Sequence, residues 1–203
     1  MKLVRAIVKI GVLVCLAALF LPGLFTPWSE ALYEMSGEEN RRQLDSLAIM
    51  RKGGRPDAKC MIGDNFVING LPRDFEKAAD GNERVFFKAA VAIETPLGST
   101  QTPKLENVRI RLCGDEEWTD LGACGEFETS TNDCWVTRYH ELRLPERFEP
   151  QEGANAHVQV VVSASENADG DGAQRHFSKT FSYVFIPQIR SGRCKLLHWF
   201  TSL

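Results

Sequence analysis

With 203 residues, a net charge of −3 and 43% apolar side chains, the chain is long enough for one hydrophobic core, or one core with an appendage, and its composition excludes intrinsic disorder. The acidic balance excludes nucleic acid as a partner. That binding needs a basic face to displace counterions, and no Lys/Arg cluster interleaved with aromatics occurs.

The chain opens on Lys2, Arg5 and Lys9, followed by an uncharged run from Ile10 to Phe25. A cationic prefix before an acid-free apolar run is an export signal, so the remainder is expected across a membrane with the N-terminus left in the cytoplasm. Two outcomes stay open. Ile10 to Phe25 spans roughly 24 Å as a helix, short of a hydrocarbon core of about 30 Å, but extension back to Leu3 gives about 34 Å once Arg5 and Lys9 snorkel. Residues 3–25 then cross the lipid bilayer and Trp28 sits at the far interface. In the other outcome, Pro22, Gly23 and Pro27 loosen the helix before Ser29-Glu30-Ala31, a small-x-small triplet that suits signal peptidase, and cleavage near Ala31 secretes the rest. Segment 1–28 is therefore a signal-anchor or a signal peptide. Cys15 follows Val14 rather than a small residue, so it reads as an apolar passenger and not as a lipid-attachment site.

Residues 29–56 read as a linker or stalk helix. Glu30, Glu34, Glu38 and Glu39 lie toward its front and Arg41, Arg42 and Arg51 toward its back, as the helix dipole prefers, while Leu44, Leu47 and Ile49 supply a narrow apolar stripe. The breaker cluster Lys52-Gly53-Gly54-Arg55-Pro56 marks the start of an exported domain over 57–203.

Beyond it the hydrophobic period changes to two. Val85, Phe87, Ala89, Val91 and Ile93 alternate with more polar or smaller neighbours, as do Val108, Ile110 and Leu112, then Val158 to Ala164, then Phe177 to Phe185. Cys60–Ile68, Cys134–Leu142 and Cys194–Phe200 are less regular candidates. Together they make about seven strands, punctuated at Pro96 to Gly98, Pro145 to Gly153, Asn167 to Gly172 and Pro187 to Gly192. Without intervening amphipathic helices this predicts an all-β fold, an antiparallel β-sandwich of immunoglobulin-like architecture. Arg109, Arg111 and Lys179 leave too few unbroken lipid-facing strands for an outer-membrane barrel.

Five cysteines follow the export signal: Cys60, Cys113, Cys124, Cys134 and Cys194. Cys113 closes one strand run and Cys134 opens the next, so pairing of those runs would bring them together. Cys113–Cys134 is the first expected bridge and Cys60–Cys194 the second. No C-x-x-C knuckle occurs, and His140, His157, His176 and His198 do not stand at ligand spacing beside a cysteine. Neither metal nor cofactor is therefore expected.

Three segments invite a functional reading. The loop Asn167 to Gly172 spaces oxygen ligands as a calcium loop does, but Ser178 stands where a bidentate Glu is needed, so a hairpin turn is expected. The long connection from Cys113 to Cys134 opens with Asp115, Glu116, Glu117, Trp118 and Asp120, a tryptophan framed by carboxylates that suits an anchor for a basic protein partner; the alternative is a Trp118 folded into the core. The apolar tail holding Trp199 and Phe200 is a last core strand or a docking segment. Catalytic signatures are missing, and His140 and Glu141 point to opposite faces of any strand they share. No Asn-x-Ser/Thr acceptor occurs, which favours a bacterial envelope.

These features predict a membrane-tethered envelope protein, periplasmic or extracellular beyond its anchor, whose sandwich binds another protein as an accessory subunit, inhibitor or immunity factor. A periplasmic hydrolase using carboxylates such as Glu116, Asp120 or Glu141 is the alternative, and it would need two of them within about 5–10 Å across a cleft.

Overall fold

A computed structural model describes residues 27–122, 128–167 and 174–192. The predicted membrane-spanning residues 3–25, Cys124, the centre of the Asn167 to Gly172 loop, and the tail with Cys194, Trp199 and Phe200 lie outside them. Among the described residues no helix is long and apolar enough to cross a membrane.

In chain order the elements are β1 (Trp28–Met35), α1 (Gly37–Arg51), a 3-10 turn (Ala58–Cys60), β2 (Met61–Ile62), β3 (Asn65–Gly70), β4 (Arg73–Lys77), β5 (Glu83–Pro96), β6 (Gln101–Leu112), β7 (Thr119–Gly122), β8 (Glu128–Thr131), β9 (Trp135–Arg143), a second 3-10 turn (Glu146–Phe148), β10 (Ala156–Asn167) and β11 (Gln174–Gly192). The protein is mostly β, in two antiparallel sheets. One has the order β1-β11-β10-β6-β7; the other runs β2-β3-β5-β9-β8, with β4 also paired to β5. Residues Leu32–Gln188 form one compact unit.

Alternation places the core. On β10, Val158, Val160 and Val162 turn inward; their register partners are Ile110, Val108 and Leu105 on β6 and, for the first two, Tyr183 and Phe181 on β11. Val67, Val91 and Ile93 of the other sheet enter the same hydrophobic cluster. Each such side chain contributes on the order of 1.5–3 kcal/mol by leaving water.

The expected helix over 29–56 is corrected at its front. Trp28–Met35 is a strand, and the helix starts only at Gly37. Glu30 and Glu34 are four apart, a spacing that fits one face of a helix and one face of a strand equally well. Tyr33 decides between them: it lies in the core, its ring meets Phe87 edge to face at 5.9 Å, and its hydroxyl donates to the Phe148 carbonyl at 3.0 Å. The stripe on α1 also differs from expectation. Gln43, Ser46 and Met50 are buried, whereas Leu44 and Ile49 face solvent. Met50 joins Cys60 and Phe66 in a second cluster that also takes Leu47, and Ser46 Oγ accepts the Asp57 amide at 3.2 Å. The helix is thus fastened to the domain along its length.

β11 continues through the break predicted at Pro187 to Gly192. Pro187 lies beyond Phe185, the last residue that β10 pairs, so its missing N–H removes no ladder bond on that side.

Candidate functional site

The residues of the Cys113 to Cys134 connection are shorter of loop than the sequence implies, since β7 and β8 form within it. Because Val108 and Ile110 take the inward positions of β6, Arg109 and Arg111 point outward. Their guanidinium carbons stand 5.7 and 4.8 Å from the centre of the Trp118 ring. Trp118 is half-buried beneath two cations, neither a core residue nor an open anchor. Asp115, Glu116 and Glu117 are exposed around it. Asp120 accepts from the Gly122 amide at 2.9 Å and from Asn107 at 3.0 Å, and these bonds hold its carboxyl below the usual carboxylate range. Arg147 donates to the Thr119 hydroxyl. The patch is one of mixed charge, and within it Arg109 Nε and Asn107 Oδ1 are buried without a hydrogen-bond partner among the described residues.

Carboxylates on the other sheet belong to separate pairs. Glu141 shares a face of β9 with Ala90 and Lys88 of β5, opposite the face on which His140 and Val91 are buried. Lys88 Nζ lies 2.6 Å from Glu141 and 2.8 Å from Asp74, and Arg143 grips Glu76 through two bonds of 2.8 and 2.9 Å. Glu116 belongs to the β6–β7 connection, Asp120 to β7 and Glu141 to the outer face of the other sheet, so the three do not converge on one cleft. Burial raises the Glu94 carboxyl, and the charge felt there is Arg51, a cation. Among the described residues no three His, Cys, Asp or Glu side chains stand where they could hold a metal ion.

The strand pairing from which the Cys113–Cys134 bridge is expected does not form among the described residues. β6 and β9 do not pair; they lie in different sheets. Cys134 meets Leu97, just before β6 begins, through its carbonyl at 2.7 Å, while Cys113 follows the last residue of β6. The length of β6 separates them by roughly 40 Å, and a disulfide needs Cα atoms within about 7 Å. Among the described residues Cys60, Cys113 and Cys134 form no disulfide. Burial pushes the Cys60 thiol up, and its predicted partner Cys194 is outside the described residues.

The chain matches no protein-family model, and none of the curated proteins or solved structures compared with it is significantly similar.

A feature that periodicity could not reveal lies along β11. Val184 points its N–H and C=O away from β10: Glu39 Oε2 accepts the first at 2.7 Å, and the Ser36 amide donates to the second at 2.8 Å. In an antiparallel ladder that direction repeats every second residue. The β10–β11 register runs unshifted from Phe185 to Gln174. His176, Ser178, Thr180 and Ser182 therefore point their backbone groups the same way, and among the described residues nothing pairs with them. β1 lies against β11 beyond Val184, since the Trp28 indole occupies the space a Cβ on Gly192 would need. Below Val184 the edge opens into a cleft of about 450 Å³ lined by Glu39, Arg42, Lys59, Cys60, Lys179 and Ser182. Only strand order exposes an edge; the Ser/Thr alternation over 178–182 marks the polar face but not the vacancy beside it.

Proposed function

We propose that the chain is a membrane-tethered envelope protein, held in the lipid bilayer through residues 3–25, whose domain is an immunoglobulin-like β-sandwich that binds another protein. It acts as an accessory subunit of an envelope complex or as an inhibitor or immunity factor. The sequence supports the location through Lys2, Arg5, Lys9 and the uncharged run behind them. The hydrophobic cluster shared by both sheets supports the sandwich.

One observation carries the binding reading: among the described residues nothing pairs with four edge residues of β11, which lie beside a cleft. Addition of an extended segment to such an edge is a recurring mode of protein recognition, and an exposed edge otherwise invites aggregation. Affinity capture of the full chain from membranes, beside Thr180→Pro, tests it. Proline removes an N–H that no ladder uses, so the fold should persist. A stoichiometric partner that is lost from the variant supports the reading. A partner retained undiminished overturns the edge as the binding surface, and a C-terminal reporter fusion active only in the cytosol overturns the location.

A further inference from the structure

We infer that the open half of β11 takes an extended acidic segment of the partner protein, which adds as a strand to His176 through Ser182 and sets its carboxylates against Lys59, Arg175 and Lys179. This rests on the protein-binding reading above and names the chemistry of what is bound.

Charge along the edge runs against that of the chain. The whole carries −3, yet among the described residues Lys59 and Lys179 are in no ion pair, and Arg175 has only Glu166, its register partner on β10, across from it. The Lys179 ammonium donates to two neutral carbonyl oxygens, Ala58 at 2.6 Å and Met61 at 2.8 Å, which fix its place without compensating its charge. Arg42 is different, because Glu38 at 2.7 Å and Asp57 at 3.6 Å neutralise it. The carboxylate lining the cleft, Glu39, is engaged by the Val184 amide. A cation held in place at Lys179, with Lys59 and Arg175 nearby, beside N–H and C=O groups that no described residue pairs, complements an extended chain with acidic side chains.

Spacing refines the match. Residues two apart on a strand share a face, so Arg175, Phe177 and Lys179 stand in a row, and Phe177 is 37% exposed. The complementary segment carries Asp or Glu at two positions four residues apart, with an apolar side chain between them. A second copy of this chain is the poorer occupant, since antiparallel pairing of two β11 edges gathers both copies of Arg175 and Lys179 at one interface, and like charges across strands destabilise.

The full chain in detergent, titrated with a synthetic peptide of about nine residues that carries two Glu four positions apart, Val midway between them and Thr elsewhere, and with its Lys-for-Glu counterpart, tests the inference. The Glu peptide is expected to bind and to slow amide exchange over 175–183, and the Lys peptide to do neither. Lys59→Gln and Arg175→Gln should each weaken binding by about fivefold, and Thr180→Pro should remove the protection. Lys179→Gln is the less clean variant because that ammonium also fastens Ala58 and Met61; the other two decide if it misfolds. Equal binding of both peptides overturns the acidic preference. Slow exchange of Ser178, Thr180 and Ser182 in the free monomeric chain overturns it too, by showing the edge already covered by the chain's own segments, and the same protection accompanied by dimerisation shows a second copy there. If partner capture is lost in Thr180→Pro while no acidic peptide binds, this inference alone fails; if capture survives that variant, the edge reading fails with it.

Discussion

Raising the pH through the phenol range tests whether β1 belongs to the core. Tyr33 is 8% exposed, and burial pushes its hydroxyl up to about 12, against about 10 in an unfolded chain. The native state holds that proton more tightly, so between those values the unfolded state binds fewer protons and stability falls as pH rises. At about 1.36 kcal/mol per unit the difference amounts to about 3 kcal/mol, fully present below about pH 10 and lost as pH rises through about 12. Tyr183, also raised by burial, adds in the same direction. Urea denaturation from about pH 9 to about pH 12, on the full chain and on Tyr33→Phe, measures the slope. The wild type should lose stability as pH passes 10, and the variant should lose less. At neutral pH the variant should already be weaker by about 1–3 kcal/mol, because the buried Phe148 carbonyl loses its donor. Identical slopes in the two proteins would place the phenol in water. Residues 29–35 would then revert to a stalk.

Other outcomes follow from single contacts. Gly63 has φ +55°, and a Cβ there would fall on the Gln101 carboxamide, whose Oε1 accepts from the Asp64 amide at 2.8 Å and from Asn65 at 3.1 Å; Gly63→Ala should cost at least about 1–2 kcal/mol in chemical denaturation, and an unchanged midpoint would refute that turn. Ser163 sits between Lys104 and Ser178 in adjacent strands, so Ser163→Pro should destabilise by at least about 3 kcal/mol. Ser182→Pro should shift the thermal midpoint little, because its N–H points to the open edge, and comparable losses from the two prolines would contradict the assigned edge. Under oxidising conditions, non-reducing peptide mapping should find no Cys113–Cys134 link; those exposed thiols should react readily with a maleimide while buried Cys60, its thiol raised by burial, reacts slowly.

What the sequence shows directly is phase, and it shows it where phase is unbroken. Val85 to Ile93, Val158 to Ala164 and Phe177 to Phe185 keep period two and lie in β5, β10 and β11. β6 is legible only over Val108 to Leu112. Gln101, Pro103 and Leu105 are buried, then the ladder shifts and Val108 and Ile110 are buried instead; an extra residue swaps odd for even and hides the first half of the strand. The Trp28–Met35 strand was masked by acids whose spacing also suits a helix. That the runs beside Cys113 and Cys134 do not pair has a longer-range cause which periodicity does not carry: β6 and β7 lie in one sheet, β8 and β9 in the other. At the candidate site, the Trp118 connection was visible as composition, but the arginines that cover its ring come from a neighbouring strand whose outward face only register identifies.

The open edge has a local cause that joins these observations. β11 is 19 residues long and β1 only 8, so β1 can cover no more than part of it. At Val184 the cover changes from strand to helix: the chain turns at Ser36, α1 begins, and Glu39 in its first turns satisfies one last edge amide. A helix presents no row of backbone groups to continue the ladder, so no described residue pairs with the next four edge residues. Such an edge would recruit any extended chain were it apolar and flat, and an inward-pointing lysine is one device that discourages this. Lys179 is that residue here, and the two carbonyls it grips keep its charge at the edge rather than letting it swing away. The same fixed charge that opposes a second copy of β11 favours a strand bearing carboxylates. Protection against self-association and choice of partner are thus two consequences of one side chain, and Lys179→Gln should weaken both together, raising self-association as acidic-peptide binding falls.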